Sequence, residues 1–324
     1  MSSKIRLAVA GGRRGGNFSV ALEHLADRLA LTAVCDPLPE VQARWREKHP
    51  DIHTYGDFEA LLASGDADAL LLATPAPMHA RQAVAAMEAG LDVLSEVPAC
   101  MTHDEAIALV DAVRRTGRTY MLAENYCYRR ELMMVKHMVD RGAMGELTYA
   151  EGMYLHELGG LKFNSDGSLT WRGEMGATMS PSVYYPTHSM GPVAQWMGIN
   201  RDDELASVYA LGYPGLSIAN YARRRFGDDH AAASPAYWRR GDGAGCLIQT
   251  KRGRVIYLRV DTCSLRPHHM ISHELQGTLG CFRTPADADE DPRIWLDGYS
   301  PGASPPRSEN PDWRNGDPMH WQSL

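Results

Sequence analysis

The sequence predicts an α/β protein of two domains: an N-terminal doubly wound parallel sheet over residues 1–124, and a C-terminal α/β domain with an open, mainly antiparallel sheet over 125–324. Two observations predict it. Up to about residue 124, short apolar runs alternate with helical patterns of 10–15 residues, which implies parallel strands joined by right-handed crossovers. Beyond about residue 125, strand patterns follow one another with little helix between them.

Ile5-Arg6-Leu7-Ala8-Val9-Ala10 is rich in strand formers. A turn, Gly11-Gly12-Arg13-Arg14-Gly15-Gly16, follows, and then Val20, Leu22, Leu25 and Leu29 recur at spacings near 3.6, a helical pattern. Leu31–Cys35 reads as a second strand ending at Asp36-Pro37, with Pro37 suited to the first turn of a helix. Ala69–Ala73 is a buried strand stopped by Thr74-Pro75-Ala76-Pro77. A helix over 78–89 is capped by Gly90, the next strand is 91–95, a helix covers about 104–115, and 119–123 is another strand. In the second half one helix, about 130–141, carries Leu132, Met133, Val135, Lys136, Met138 and Val139, with the methionines read as core filler. Strands are expected at 145–155, 205–213, 244–250, 254–260 and 271–283, the third and fourth joined by a Lys251-Arg252-Gly253 hairpin. The segment 284–318, rich in Pro, Gly, Asp and Ser, reads as surface loop.

Composition excludes several classes. With 324 residues, 44% hydrophobic and 23% charged, the chain can bury full-sized cores, and disorder is disfavoured. A net charge of −7 offers no positive field for nucleic acid. No apolar run reaches the roughly 20 residues that span a bilayer. Six scattered cysteines form no CxxC pair, so no metal site and no disulfide framework is indicated, and a cytoplasmic, reducing location is expected. The chain enters its first strand at once, leaving no room for a signal peptide. The Arg13-Arg14 pair lacks the apolar stretch of an export signal.

The first chemical feature is the turn after the first strand. Pyrophosphate needs small residues where the backbone approaches it, and N–H donors from a helix start. The register Ala10-x-Gly12-x-x-Gly15 lies between strand and helix, where such a motif rises above chance. Asp36 ends the second strand roughly 20 residues on, placed to accept from ribose hydroxyls, so NAD is expected rather than NADP. No GxxxxGK[ST] occurs.

These residues resemble the Gfo/Idh/MocA oxidoreductases. The resemblance rests on Arg14-Gly15, on Thr74-Pro75 with His79, on Ala89-Gly90, on Glu96-Val97-Pro98 in place of Glu-Lys-Pro, and on Gly142-Ala143-Met144-Gly145-Glu146 at the junction. It covers essentially the whole chain. It implies a Rossmann domain and a sheet domain lining a substrate site. Val97 stands where the family's sugar dehydrogenases carry a Lys that handles the hydroxyl proton. Glu-Val at this place is similar to the NAD-dependent glycosidase branch, typified by α-N-acetylgalactosaminidases. Glu124-Asn125 with Tyr128, Glu151-Gly152-x-Tyr154-x-His156, Trp171-Arg172 and Tyr185-Pro186-Thr187-His188-x-x-Gly191-Pro192-Val193-Ala194 resemble the same branch. The resemblance implies cofactor contacts from Gly12, Arg14, Gly15, Asp36, Thr74, Pro75, His79, Glu96, Asn125, Trp171 and Arg172.

The branch's chemistry oxidises a ring carbinol, eliminates the carbon 1 substituent, adds water and reduces the ketone, with no net redox change. His and Tyr suit the proton transfers. His188 is expected as acid/base, with Tyr185, or Tyr184 in its stead. Positions 184, 185 and 188 can share one face of a helix start. Glu151 and His156 are read as alternating outward on one strand, with Met153 and Leu155 on the other face, and Tyr154 is expected in the pocket. Arg266 and His268 follow a strand end and are expected to touch substrate. Arg223-Arg224-Arg225 reads as a solvated face. The expected partner is a small-molecule sugar or glycoside, with no nucleic acid and no membrane, in a homo-oligomer. Two alternatives stay open: an NAD-dependent sugar or cyclitol dehydrogenase, and a non-catalytic NAD- or sugar-sensing protein. The family's second domain normally continues with a further helix, whereas this chain stops at Leu324: a naturally short member, or a shortened one that would expose an apolar patch.

Overall fold

The structure, a computed structural model, describes residues 4–267, 270–285, 290–300 and 321–324. The chain divides into two compact units, Met1–Glu124 and Asn125–Leu324.

The first unit runs β1 (Ile5–Ala10), α1 (Gly12–Gly15), α2 (Ser19–His24), β2 (Leu29–Cys35), α3 (Pro39–Lys48), β3 (His53–Tyr55), α4 (Phe58–Ala63), β4 (Ala69–Leu72), α5 (His79–Glu88), β5 (Asp92–Ser95), α6 (His103–Thr116) and β6 (Tyr120–Leu122). The strands pair in parallel in the order β3-β2-β1-β4-β5-β6. Central strands are buried on both faces, so Ala8, Val9, Leu70 and Leu72 form continuous apolar runs. The strand order reverses between β1 and β4, and ligands of such sheets bind beyond the strand ends at that switch. The Gly11–Gly16 turn leaves β1 there. One expectation needs correction. The helical pattern that the sequence carries to Leu29 ends at His24, because Leu29 pairs with Ile5 and opens β2. The sheet ladder captures a residue that periodicity alone assigns to the helix. α6 starts in a capping box, Thr102 with Glu105, and stops at Gly117 in the left-handed region.

The second unit comprises α7 (Arg130–Asp140), β7 (Leu147–Leu155), α8 (Trp171–Thr178), α9 (Thr187–Met197), β8 (Leu205–Tyr213), α10 (Leu216–Phe226), β9 (Gly243–Thr250), β10 (Val255–Asp261), β11 (Ile271–Gly277), β12 (Gly280–Arg283), β13 (Arg293–Leu296) and β14 (Gln322–Ser323). Among the described residues these strands form one sheet, ordered β14-β13-β12-β11-β7-β10-β9-β8. Only β7 and β10 pair in parallel, so the sheet is mixed and mostly antiparallel. The run expected as one strand over 271–283 is a hairpin, β11 and β12, turning at Thr278-Leu279. The expected loop 284–318 contains β13, whose buried Ile294 pairs with Phe282 of β12, while 286–289 and 301–318 lie outside the described residues.

α9 and α7 cover one face of this sheet, joining Leu132, Val135, Val193 and Trp196 to Ala150, Leu258, Leu275 and Phe282. Closeness is set at Gly152, where a Cβ would lie 2.1 Å from the Ser189 carbonyl oxygen. The methionine reading is corrected in part. Met138 packs against the core, but Met133 is exposed, off the Leu132–Val135–Val139 stripe. On the opposite face Tyr149, Glu151 and Met153 are only half-buried. The edge strand β8 carries no charged side chain, and Val208, Tyr209 and Leu211 are 65%, 68% and 62% exposed. Arg223, Arg224 and Arg225 are exposed at the end of α10.

Candidate active site

In the first unit the turn after β1 is shaped by glycine. Gly11 has φ 86°, and a Cβ on it would lie 2.4 Å from the Ala73 carbonyl oxygen. A Cβ on Gly12 would meet the Trp45 indole nitrogen at 2.8 Å, and one on Gly15 would meet Val9 at 2.3 Å. The sequence reading places the motif on Ala10, Gly12 and Gly15; the residue that must be glycine for the tight turn is Gly11. Asp36, buried at the end of β2, accepts from the backbone N–H of Arg13 at 3.3 Å and of Leu38 at 3.0 Å. An ionised carboxylate accepts through about four lone-pair sites, which leaves capacity for a ribose hydroxyl. Bare turn backbone and a carboxylate at the neighbouring strand end are a donor and acceptor set that fits a dinucleotide.

Two further predicted residues meet at this strand-end edge. Arg14 pairs with Glu96 at 2.5 Å, and the other Glu96 oxygen accepts from the Val97 N–H. Thr74 donates its hydroxyl to Gln82. His79, expected as a cofactor contact, is held against the backbone. It is buried, and its ring nitrogens lie 2.8 Å from the Pro98 carbonyl and 2.7 Å from the Thr74 carbonyl. It therefore clasps the Thr74-Pro75 turn to the Glu96-Val97-Pro98 turn, and its ring is spent on backbone.

In the second unit three tyrosines surround one imidazole. The ring centroid of buried His188 lies 4.4 Å from Tyr126, 5.0 Å from Tyr154 and 5.3 Å from Tyr185. The Tyr154 hydroxyl and His156 Nδ1 are 2.7 Å apart. Tyr184 contacts Tyr185, and the Arg240 guanidinium lies 3.7 Å over the Tyr184 ring, a cation–π contact. The shared helix face expected for 184, 185 and 188 does not exist as such. α9 begins at Thr187, and both tyrosines precede it. Tyr185 reaches His188 as the chain turns at Pro186 into the helix, and Tyr184 packs behind Tyr185.

Glu151 is separated from this cluster. Residues five apart on a strand face opposite sides, so Glu151 and His156 cannot both point outward on one face. Tyr154 and His156 are on the side of Gly152 and α9. Glu151 is on the other, bonded to the Tyr149 hydroxyl and standing across from Glu274. Arg266 is exposed beyond β10, and His268 lies outside the described residues. Asn125 is exposed at the start of a 3-10 turn, Trp171 and Arg172 open α8 with the guanidinium 4.1 Å over the indole, and all three belong to the second unit.

Comparison with known proteins identifies both parts. Residues 5–124 match the oxidoreductase family with the NAD-binding Rossmann fold, and residues 128–315 match the glycosyl hydrolase 109 C-terminal domain. The chain belongs to glycosyl hydrolase family 109. A family 109 protein of Shewanella amazonensis is 36% identical over 292 residues, covering 86% of this chain and 63% of that protein. An α-N-acetylgalactosaminidase of Shewanella oneidensis is 34% identical over 290 residues, covering 86% and 62%. The chain thus spans somewhat under two thirds of the length of these curated relatives. Among solved structures, a levoglucosan dehydrogenase in complex with NADH and L-sorbose has a TM-score of 0.75 at 20% identity, covering 100% of this chain and 80% of that one. The shared fold is that of the Gfo/Idh/MocA oxidoreductases.

In this family 109 chain the first unit is an NAD-binding Rossmann domain. Three residues around the candidate site escape the sequence reading. Tyr126 lies between the recognised Glu124-Asn125 and Tyr128, yet nothing in its spacing distinguishes it from its neighbours. Arg240 sits in a loop more than 50 residues from Tyr184. His273 is one buried residue of an ordinary alternating strand. All three act through contacts at long sequence separation, which no local pattern records.

Proposed function

We propose that this chain is an NAD-dependent enzyme acting on a sugar or glycoside by redox-neutral cleavage: oxidation of a ring carbinol, elimination of the carbon 1 substituent, addition of water and reduction. The observation that carries the reading is the His188 cluster, a buried imidazole ringed by Tyr126, Tyr154 and Tyr185. Family membership and the α-N-acetylgalactosaminidase name of one relative support it. Bound NAD would supply the hydride acceptor and donor; Gly11, Gly12, Gly15 and Asp36 would hold it. His188 Nδ1 or Nε2 takes the carbinol proton and returns it. Tyr185 carries or orients a proton beside it, and the Tyr154–His156 pair offers a further hydroxyl-to-imidazole path. Val97, apolar and buried where related dehydrogenases carry Lys, leaves these groups as the proton carriers.

The reading includes a homo-oligomer in a cytoplasmic setting. The uncharged edge β8 supports the first. Six free cysteines are consistent with the second, and among the described residues no helix is long and apolar enough to cross a membrane. The test is incubation of the NAD-loaded chain with aryl glycosides in deuterated water. Aglycone release with deuterium at carbon 2 and no lasting absorbance at 340 nm is the expected result. Steady NADH accumulation without aglycone would replace it with the dehydrogenase reading. NAD binding with neither product would favour a sensor.

A further inference from the structure

α9 contains a proline at position 192, four residues after His188. In an α-helix the carbonyl of residue 188 receives its hydrogen bond from the N–H of residue 192, and proline has none. The His188 carbonyl is therefore left without its helical donor, in the buried layer between α9 and the sheet. An unsatisfied carbonyl there is costly and invites the first turn to distort. His273 on β11 answers it. Its Nε2 lies 3.1 Å from the His188 carbonyl oxygen. A carbonyl only accepts, so Nε2 carries the proton.

The placement is enforced from several sides. His273 pairs directly across from Gly152, the position whose missing side chain lets α9 approach the sheet. Its ring stands edge-on to Trp196 of α9, 5.8 Å between centroids. Its Nδ1 is buried with no hydrogen-bond partner among the described residues, as suits the bare nitrogen of a neutral ring. Burial first, then the nearby Arg129 and His188, hold the imidazole neutral, down to about 4, while the His188 and Ser189 backbone bonds pull the other way. A neutral ring with its one proton on Nε2 is a fixed donor at neutral pH.

We propose that His273 is a positioning residue for His188, its Nε2–H replacing the backbone donor that Pro192 removes and so fixing the helix turn that aims the His188 ring. The proposal rests on His188 being the working group of the proposed function. Its structural half can be read without any turnover.

The test uses the full chain with NAD and 15N-labelled histidine. His273→Leu should move the His188 ring resonances and lower kcat for an aryl glycoside by about tenfold to a hundredfold, with KM within about twofold. His273→Gln, whose amide nitrogen falls near the Nε2 position, should restore both. Pro192→Ala returns an N–H to the helix. Alone it should shift the His273 resonances, and in the His273→Leu background it should bring the His188 resonances back. If His273→Leu leaves the His188 ring resonances in place, or if neither glutamine nor the alanine at 192 rescues them, His273 does not position His188. If His273→Leu fails to fold, Pro192→Ala alone decides, since unchanged His273 resonances there would refute the shared carbonyl. Absence of turnover in the unsubstituted chain defeats the functional reading, and the resonance shifts then decide this one.

Discussion

Glu274 stands directly across from Glu151 in the antiparallel β7–β11 pair, on the sheet face away from α9. Partial burial first, then the Glu151 charge, raises the Glu274 carboxyl above the usual range, while Arg283 pulls it down. A carboxyl raised on folding contributes stability that is present below its unfolded value and is lost as pH rises through the folded one. Glu274→Gln should therefore stabilise the chain at pH 7 by about 0.2–1 kcal/mol, toward the lower end because water screens the half-exposed pair, and by less at pH 4. Urea unfolding at the two pH values measures this. Equal gains at both would mean the repulsion is absent.

Gly11→Ala puts a side chain at φ 86° and within 2.4 Å of the Ala73 carbonyl. The strain should cost about 1–3 kcal/mol. Because the same turn would hold the pyrophosphate, NAD affinity should fall at least about tenfold, roughly 1.4 kcal/mol. Thermal melting and calorimetric titration with NAD report the two effects separately. Tight NAD binding by the alanine variant would remove the turn from the cofactor site.

His188→Ala should lower kcat by about 10²–10⁴ while NAD affinity stays within about twofold. His188 lies in the second unit and the glycine turn in the first, so the two measurements separate chemistry from cofactor loading. Unchanged turnover would take His188 out of the reaction.

Leu211→Glu places a charge in the middle of β8, an edge strand with no charge of its own. Edges of this kind pair readily, and an added charge blunts them. Sedimentation should show the unsubstituted chain as an oligomer and the variant as a smaller species. A monomer in both cases would end the oligomer expectation.

Where the sequence reading worked, it worked through local signals. Apolar runs in β1, β4 and β5 mark strands buried on both faces. Glycines at 11–16 and Asp36 mark a turn and an adjoining strand end. The Tyr-Pro-Thr-His run marks the segment that holds His188. It failed where a distant partner decides. Leu29 continues a helical period until Ile5 claims it for a strand. Thr278-Leu279 interrupts an apparently continuous strand because Gly277 and Gly280 close against Met144 and Leu296. Glu151 and His156 read as facing outward together on one strand, and the pleat sends residues five apart to opposite faces.

The sequence by itself determined the α/β architecture and the family, because each is carried by period, turn chemistry or contiguous motif, and it singled out His188 through one such motif. Only the tertiary structure decided what surrounds that imidazole. Tyr126 and Tyr154 reach His188 because the 3-10 turn after Glu124, the strand β7 and the helix α9 pack at one place, and Gly152 sets how near α9 lies. His273 meets the carbonyl that Pro192 frees because β11 pairs with β7 in one register, and a shift of one residue would turn its ring to the other face.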